Sequence, residues 1–275
     1  MLRLAVIGHP VAHSRSPAMQ NAALAELGLG GEWRYEAIDV APPEFEQRVR
    51  AMPGEGFIGA NVTVPHKGAA LAVADLPTEM AREIGAANTL VFAREGVQAH
   101  NTDAPGLIAA LPRSPTGERA LVLGAGGAAR AAIWALNAVG TEVSVWNRTV
   151  PRAQEVRVEM GRQSVRIQVA ESPVEIDQGE YGVIVNTTAV GLHGEDPFEH
   201  LPLRRDGFGP EQVVVDMVYG DSPSTLLAAA GAAGATTVDG IEVLVQQGAL
   251  SLRIWTGSEP PIEAMRTAAY SLGGS

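Results

Sequence analysis

Arg119-Ala-Leu-Val-Leu-Gly124-Ala-Gly126-Gly-Ala-Ala129-Arg130 joins an apolar run to an alanine-rich one through a cluster of glycines. The apolar run from Ala120 to Leu123 predicts a buried strand, and residues 130–139 predict a helix. Between them stands Gly124-x-Gly126-x-x-Ala129. Glycines at such a junction let the backbone approach a pyrophosphate, and the helix start behind them offers unpaired N–H groups and the positive end of a dipole. Moving outward, strands are expected over 141–146, 165–169, 182–186 and 213–217, and a helix over 222–233. Strands alternating with helices predict a Rossmann-type unit with a parallel sheet. Residues 194–209 mix glycine, proline and charge and read as a loop.

The end of the second strand of this unit selects the nucleotide. An NAD site places an acid about 20 residues beyond the glycines to hold the ribose 2′-hydroxyl. Here Asn147-Arg148-Thr149 stands instead, with Arg152 four residues past Arg148. Arginines with amide and hydroxyl donors suit a 2′-phosphate, and on an early helical turn the two arginines would share a face. The reading is NADP.

The first hundred residues also alternate strand and helix: strands over 2–8, 33–40, 57–64 and 87–92, with helices over 17–27 and after Pro42-Pro43. A layered α/β half with a mainly parallel sheet is expected. After Asp239-Gly240, two helical segments over 241–255 and 261–272 close the chain. They are read as packing back on the first half. The domains are therefore 1–102 with 240–275, and 103–239.

Composition narrows the function classes. The 275 residues suit about two domains. There is no cysteine, so disulfides, thiolate metal sites and cysteine nucleophiles are excluded. With 31 acidic against 20 basic residues the net charge is −11, which argues against non-specific binding to nucleic acid or an anionic membrane. No 18-residue apolar run and no basic-then-apolar leader is present, so the expected compartment is the cytoplasm. Lys67 is the single lysine, the other 19 basic residues being arginine. An ammonium can give up its proton where a guanidinium cannot.

Lys67 closes the cluster Asn61-Val-Thr63-Val-Pro65-His66-Lys67. Alternation puts Asn61 and Thr63 on one face of a strand that Pro65 ends, so Lys67 opens the next helix, a place unfavourable to a cation and suited to proton transfer. A surface lysine is the plainer alternative. A second cluster, Gly8-His9-Pro-Val-Ala-His13-Ser14-Arg-Ser16-Pro17, places two serines in a loop at a strand end. They could present hydroxyls to a carboxylate, though Ser16 before Pro17 equally fits a helix cap. A third comprises Asn88-Thr89 and His100-Asn101-Thr102-Asp103, where Asp103 either caps a helix or partners Lys67.

With these residues together the chain resembles the shikimate dehydrogenase family, which reduces 3-dehydroshikimate with NADPH. The stretch from Gly8 to Asn21 is similar to the family's G-x-P-x-x-H-S-x-S-P-x-x-H-N, and Asn61 to Lys67 to its N-V-T-x-P-x-K. The resemblance implies Ser14 and Ser16 as holders of the substrate carboxylate, Thr63, Asn88 and Asp103 as further substrate contacts, and Lys67 with Asp103 as the catalytic pair. It puts Gly124, Ala125, Gly126, Gly127, Ala128, Asn147, Arg148, Thr149 and Arg152 at the NADP. Asp216-Met217-Val-Tyr219 looks like a D-M-x-Y segment, implying Met217 at the nicotinamide and Tyr219 at the substrate. Gly240 and Gln247 fall on a G-x-x-x-L-V-x-Q-G-like segment, implying cofactor and substrate contacts respectively. Gln20 departs from the family's histidine, residues 186–192 from its N-A-T-S-x-G-M, and Glu242 and Val243 from glycine and methionine. No metal is implied, and a monomer or homodimer is expected. A quinate-oxidising relative and a non-catalytic shikimate-binding relative are the alternatives.

Overall fold

The computed structural model describes residues 1–162, 165–170, 172, 176–220 and 224–271. They form two compact units, Met1–Gly106 with Leu244–Ser275, and Leu107–Val243. The divisions fall inside two helices, α5 (Asp103–Ala110) and α10 (Gly240–Thr256), rather than ahead of them.

The first unit runs β1 (Leu2–Gly8), α1 (Ser16–Glu26), β2 (Trp33–Asp39), α2 (Phe45–Ala51), β3 (Phe57–Val62), α3 (Lys67–Val73), β4 (Leu76–Pro77), α4 (Glu79–Ile84), β5 (Thr89–Ala93) and β6 (Gly96–His100), then the start of α5. The rest of α10 and α11 (Ile262–Ser271) belong to it as well. Its sheet order is β2-β1-β3-β5-β6-β4. β1 pairs in parallel with β2 and β3, and β4 with β6, while β5 is antiparallel to both β3 and β6. β5 answers to the strand expected over 87–92, whereas β6 and the hairpin that pairs the two had no expectation in the sequence; the turn uses Gly96 at φ 131°. Ile7, Phe45, Val62 and Leu90 pack into one buried cluster, each worth about 2 kcal/mol of burial.

In the second unit come β7 (Arg119–Leu123), α6 (Gly127–Ala138), β8 (Glu142–Trp146), α7 (Val150–Gly161), β9 (Ile167–Val169), β10 (Val183–Asn186), α8 (Pro197–His200), β11 (Val213–Asp216), α9 (Thr225–Ala232) and β12 (Thr236–Asp239). The sheet, ordered β12-β11-β10-β7-β8-β9, is parallel throughout. Alternation along β7 sends Ala120 and Val122 into one buried cluster and Leu121 and Leu123 into another, so both faces are covered. The chain reverses its direction of travel across the sheet between β7 and β10, the place where open α/β sheets bind ligands at their carboxyl ends.

Three local expectations are corrected. The loop over 194–209 contains α8, whose start is capped by Asp196 through Phe198 N at 3.0 Å. β3 ends at Val62, so strand alternation does not reach Thr63. Arg148 precedes α7 and only Arg152 lies on it, so they do not share a helix face. The expected start of α9 at Ser222 and the expected end of α11 at Leu272 lie outside the described residues.

Candidate active site

The carboxyl ends of β1 and β3 are tied together before any site chemistry begins. Thr63 N donates to Ile7 O at 2.8 Å and His9 N to Val64 O at 3.0 Å. Gly8 is required here, since a Cβ would meet the Thr63 methyl at 2.5 Å. His66 is buried, donates through Nε2 to Val40 O at 2.7 Å and stacks on Phe45. That anchorage sets Lys67 as the first residue of α3, and Ala87 N, on the segment before β5, donates to Lys67 O at 2.9 Å.

Lys67 Nζ donates to Asp103 Oδ2 at 2.6 Å, with the two side chains only 13% and 12% exposed. Asp103 does not cap α5; Asn101 accepts from Ala104 N at 3.1 Å and leaves the Asp103 carboxylate to the lysine. The other carboxylate oxygen, Oδ1, accepts from Asn88 Nδ2 at 2.9 Å. Asn88 also faces Gln247 Oε1 at 3.0 Å and Thr102 Oγ1 at 2.9 Å, while its Oδ1 accepts from Thr102 N at 2.7 Å. Because a backbone N–H can only donate, this last bond fixes the amide with Nδ2 toward Asp103. Lys67, Asp103 and Asn88 are thus joined by direct hydrogen bonds, with Gln247 Oε1 within reach of the same amide and the ammonium bound directly to the carboxylate.

Ser14 and Thr63 stand on the loops that follow β1 and β3, and Ser16 is the first residue of α1. Ser14 Oγ accepts from Ser16 N at 3.3 Å and keeps its proton to donate. Ser16 is buried, and the position ahead of α1 is taken by Arg15 without a side-chain cap, so the capping alternative for Ser16 is not realised. His9 Nδ1 bonds Asp39 Oδ1 at 2.6 Å, which holds the Asp39 carboxyl below the usual range and pins the loop to β2. His13 is exposed. Gln20 donates to Gly248 O at 2.9 Å, a packing role joining α1 to α10.

In the second unit, Gly124 has φ 120° and a Cβ there would strike Thr187 Oγ1 at 2.5 Å. Thr187 Oγ1 in turn donates to Leu123 O at 2.6 Å, so the glycine loop lies against the end of β10. α6 starts at Gly127 behind Gly126 with no side-chain cap, and a Cβ at Gly126 would meet nothing within 4 Å. Ala125 packs into the core beneath, and Ala128 lies in the first turn of α6. Asn147 Nδ2 donates to Thr149 O at 2.9 Å, shaping the turn that carries Arg148. Among the described residues, the guanidinium groups of Arg148 and Arg152 have no hydrogen-bonding or ionic partner. Gly240 lies against Met217, where a Cβ would meet the Met217 carbonyl oxygen at 2.5 Å. Tyr219 follows, half-buried. An uncapped helix start, open space before it and two unpaired cations fit a dinucleotide bearing an extra phosphate.

Two titratable groups are displaced by burial. The Asp216 carboxyl is pushed up by desolvation, against hydrogen bonds from Ser224, Val218 N and Asn186 Nδ2. Burial pulls the His100 imidazole down. Residues the sequence left unassigned are Asn186, which ties β10 to β11, and Thr89, Thr102 and Ser251, which are buried behind Asn88. Thr102 is adjacent to Asp103, already singled out; nothing local in the sequence points to Ser251. Among the described residues there is no group of three or more His, Cys, Asp or Glu able to hold a metal ion.

Comparison with known proteins gives three family matches: the shikimate dehydrogenase substrate binding domain over residues 6–90, shikimate/quinate 5-dehydrogenase over 109–192, and the shikimate 5′-dehydrogenase C-terminal domain over 240–270. Shikimate dehydrogenase (NADP(+)) of Anaeromyxobacter sp. (strain K) is 44% identical over 275 residues, covering 98% of this chain and 96% of that protein. The enzyme of the same name from Methanopyrus kandleri is 40% identical, with 96% and 93% covered. The solved structure of shikimate 5-dehydrogenase from Thermus thermophilus in complex with NADP(H) and shikimate has a TM-score of 0.86 and 41% identity, covering 98% of this chain and 99% of that one.

Proposed function

The chain belongs to the shikimate dehydrogenase family, as an NADP-dependent oxidoreductase that interconverts 3-dehydroshikimate and shikimate, and we propose that Lys67 and Asp103 are its proton-transfer pair. The observation that carries this is the 2.6 Å bond between the chain's single lysine and a carboxylate that is itself held by Asn88. When bound, NADPH supplies the hydride that reduces the ketone carbon. Lys67 Nζ gives a proton to the carbonyl oxygen as negative charge develops there, and is reprotonated from solvent; in the reverse direction it takes the hydroxyl proton. Asp103 orients the ammonium, and Asn88 orients Asp103.

Ser14 and Ser16 hold the substrate carboxylate with neutral hydroxyl donors, and Thr63, Asn88, Asp103, Gln247 and Tyr219 hold the ring hydroxyls. Gly124 to Ala128 cradle the pyrophosphate, Asn147, Arg148, Thr149 and Arg152 take the 2′-phosphate and adenosine end, and Met217 and Gly240 border the nicotinamide. Residues 1–102 with 240–275 form the substrate domain and 103–239 the NADP domain. Among the described residues no helix is long and apolar enough to cross a membrane. With a net charge of −11, the reading is a cytoplasmic monomer or homodimer that binds no nucleic acid.

The test is Lys67→Ala, assayed for NADPH-dependent reduction of 3-dehydroshikimate. Loss of general acid catalysis is expected to lower kcat about 10³-fold. Turnover near the wild-type value would remove Lys67 from the chemistry.

A further inference from the structure

Behind Asn88 three hydroxyls meet in a closed polar cluster. Thr89 Oγ1 lies 2.8 Å and Thr102 Oγ1 3.1 Å from Ser251 Oγ, and the two threonine oxygens are 3.1 Å apart. All three residues are buried, with Thr89 and Ser251 at zero exposure. Asn61 Nδ2 donates into the cluster, to Ser251 Oγ at 2.9 Å and Thr89 Oγ1 at 3.1 Å; its own Oδ1 accepts from Tyr35 OH at 2.8 Å.

The protons in this cluster have a sense that can be worked out from the groups that act in one direction only. Ser251 donates its proton to the carbonyl of Gln247, one helical turn back, at 3.1 Å. Toward the cluster, Ser251 Oγ is therefore an acceptor. Thr102 has one hydroxyl proton and can place it on Ser251 Oγ or Thr89 Oγ1, both at 3.1 Å, on Asn88 Oδ1 at 3.2 Å or on Gln247 Oε1 at 3.4 Å. Placed on Ser251, it leaves Thr102 Oγ1 to accept one Asn88 N–H, and the other Asn88 N–H stays on Asp103 Oδ1. Gln247 Oε1 is then available to a substrate hydroxyl, its amide being fixed by donation from Nε2 to Leu244 O at 2.9 Å. Placed on Gln247, the same proton would occupy that acceptor. With only two N–H groups facing three acceptors, Asn88 depends on how Thr102 is turned.

We propose that Ser251 is a positioning residue for the reaction: by accepting the Thr102 proton it sets the donor sense of the chain Thr102–Asn88–Asp103 and so holds the Asp103 carboxylate in place beside Lys67. This rests on the catalytic reading of Lys67 and Asp103. The two lone pairs of Ser251 Oγ are then filled by Asn61 Nδ2 and Thr102; Thr89 shares the cluster and places its proton on Asn88 Oδ1 at 3.3 Å, an oxygen already held by Thr102 N, so its hydroxyl is not needed for that sense.

Three variants test the assignment. Ser251→Ala is expected to lower kcat about tenfold, the scale of a small misplacement of a catalytic group. Thr89→Val removes a hydroxyl from the same cluster at constant shape and is expected to leave kcat within about twofold while lowering the Tm as Ser251→Ala does. In the background of Asp103→Asn, Ser251→Ala is expected to cost nothing further, because its effect runs through that carboxylate. Should Ser251→Ala fail to fold, Ser251→Cys keeps the volume with a weaker acceptor and is expected to lower kcat by a smaller factor. The proposal is overturned if Ser251→Ala, or Ser251→Cys in its place, leaves kcat unchanged, if Thr89→Val lowers kcat equally, or if the loss persists undiminished with Asp103→Asn. Full activity of Asp103→Asn itself would instead overturn the catalytic reading on which the proposal rests.

Discussion

The two units treat their polar groups in opposite ways. Around Lys67 the side chains are tied to one another inside the protein, through bonds of 2.6–3.0 Å that link α3 to α5 and, through Asn88 and Thr89, to α10. Around Gly126 the groups stand unspent: an uncapped helix start, a glycine facing open space and two arginines, Arg148 and Arg152, without partners among the described residues. A site whose geometry is fixed in advance suits bond-making, where misplacement costs rate. One with unpaired donors suits capture of a charged ligand, where losses show as affinity.

The same substitution at two glycines sharpens the contrast most. A Cβ at Gly106 would lie 2.6–2.8 Å from the backbone and Cβ of Gln247, atoms that cannot turn aside. Gly106→Ala is expected to cost about 3 kcal/mol in denaturant unfolding and to lower kcat, because it displaces Gln247. At Gly126 a Cβ meets nothing, so Gly126→Ala should stay within about 1 kcal/mol of wild type, yet weaken NADP binding by standing before the helix start. Equal stability losses at the two positions would break the comparison.

Next in size, Arg148→Ala is expected to raise the KM for NADP about tenfold and leave that for NAD unchanged, since its guanidinium has only the 2′-phosphate to gain. Steady-state kinetics with both nucleotides checks this; a parallel rise would mean that Arg148 holds a part common to both.

The smallest effect concerns pH. The folded-state pKa of Asp216 is raised by burial, so its contribution to stability is full below the ordinary carboxylate value of 3.8 and is lost as pH rises through the raised value. His100 is depressed, so its contribution is present above 6.5 and is lost as pH falls. Asp216→Asn keeps an acceptor for Asn186 and Val218 N without the buried charge. It is expected to flatten the loss of Tm on going from acid to neutral pH, and to leave the His100 slope in place.

What could be read from sequence follows the range of the interactions. The glycine loop, the strand before it and the helix after it are contiguous, and their pattern is local. Lys67 stood out because a biased composition left it alone among arginines. β6, the two-residue β4 and the half-exposed β12 escaped because short strands carry no long apolar run. Arg148 and Arg152 have helical spacing, yet α7 starts only at Val150, and spacing alone does not say where a helix begins. Ser251 meets Thr102 and Thr89 across 149 and 162 residues of chain, a contact created by the return of α10 and invisible to any local pattern.

The central claim is that Lys67 is there to move a proton and not merely to carry charge. Lys67→Arg tests it most directly, because the guanidinium keeps a cation beside Asp103 but cannot give up its proton. Measured by NADPH oxidation with saturating 3-dehydroshikimate, the variant is expected to bind both ligands and turn over about 10³-fold more slowly than wild type. A kcat close to wild type would contradict it, and would reduce the single lysine to an electrostatic contact.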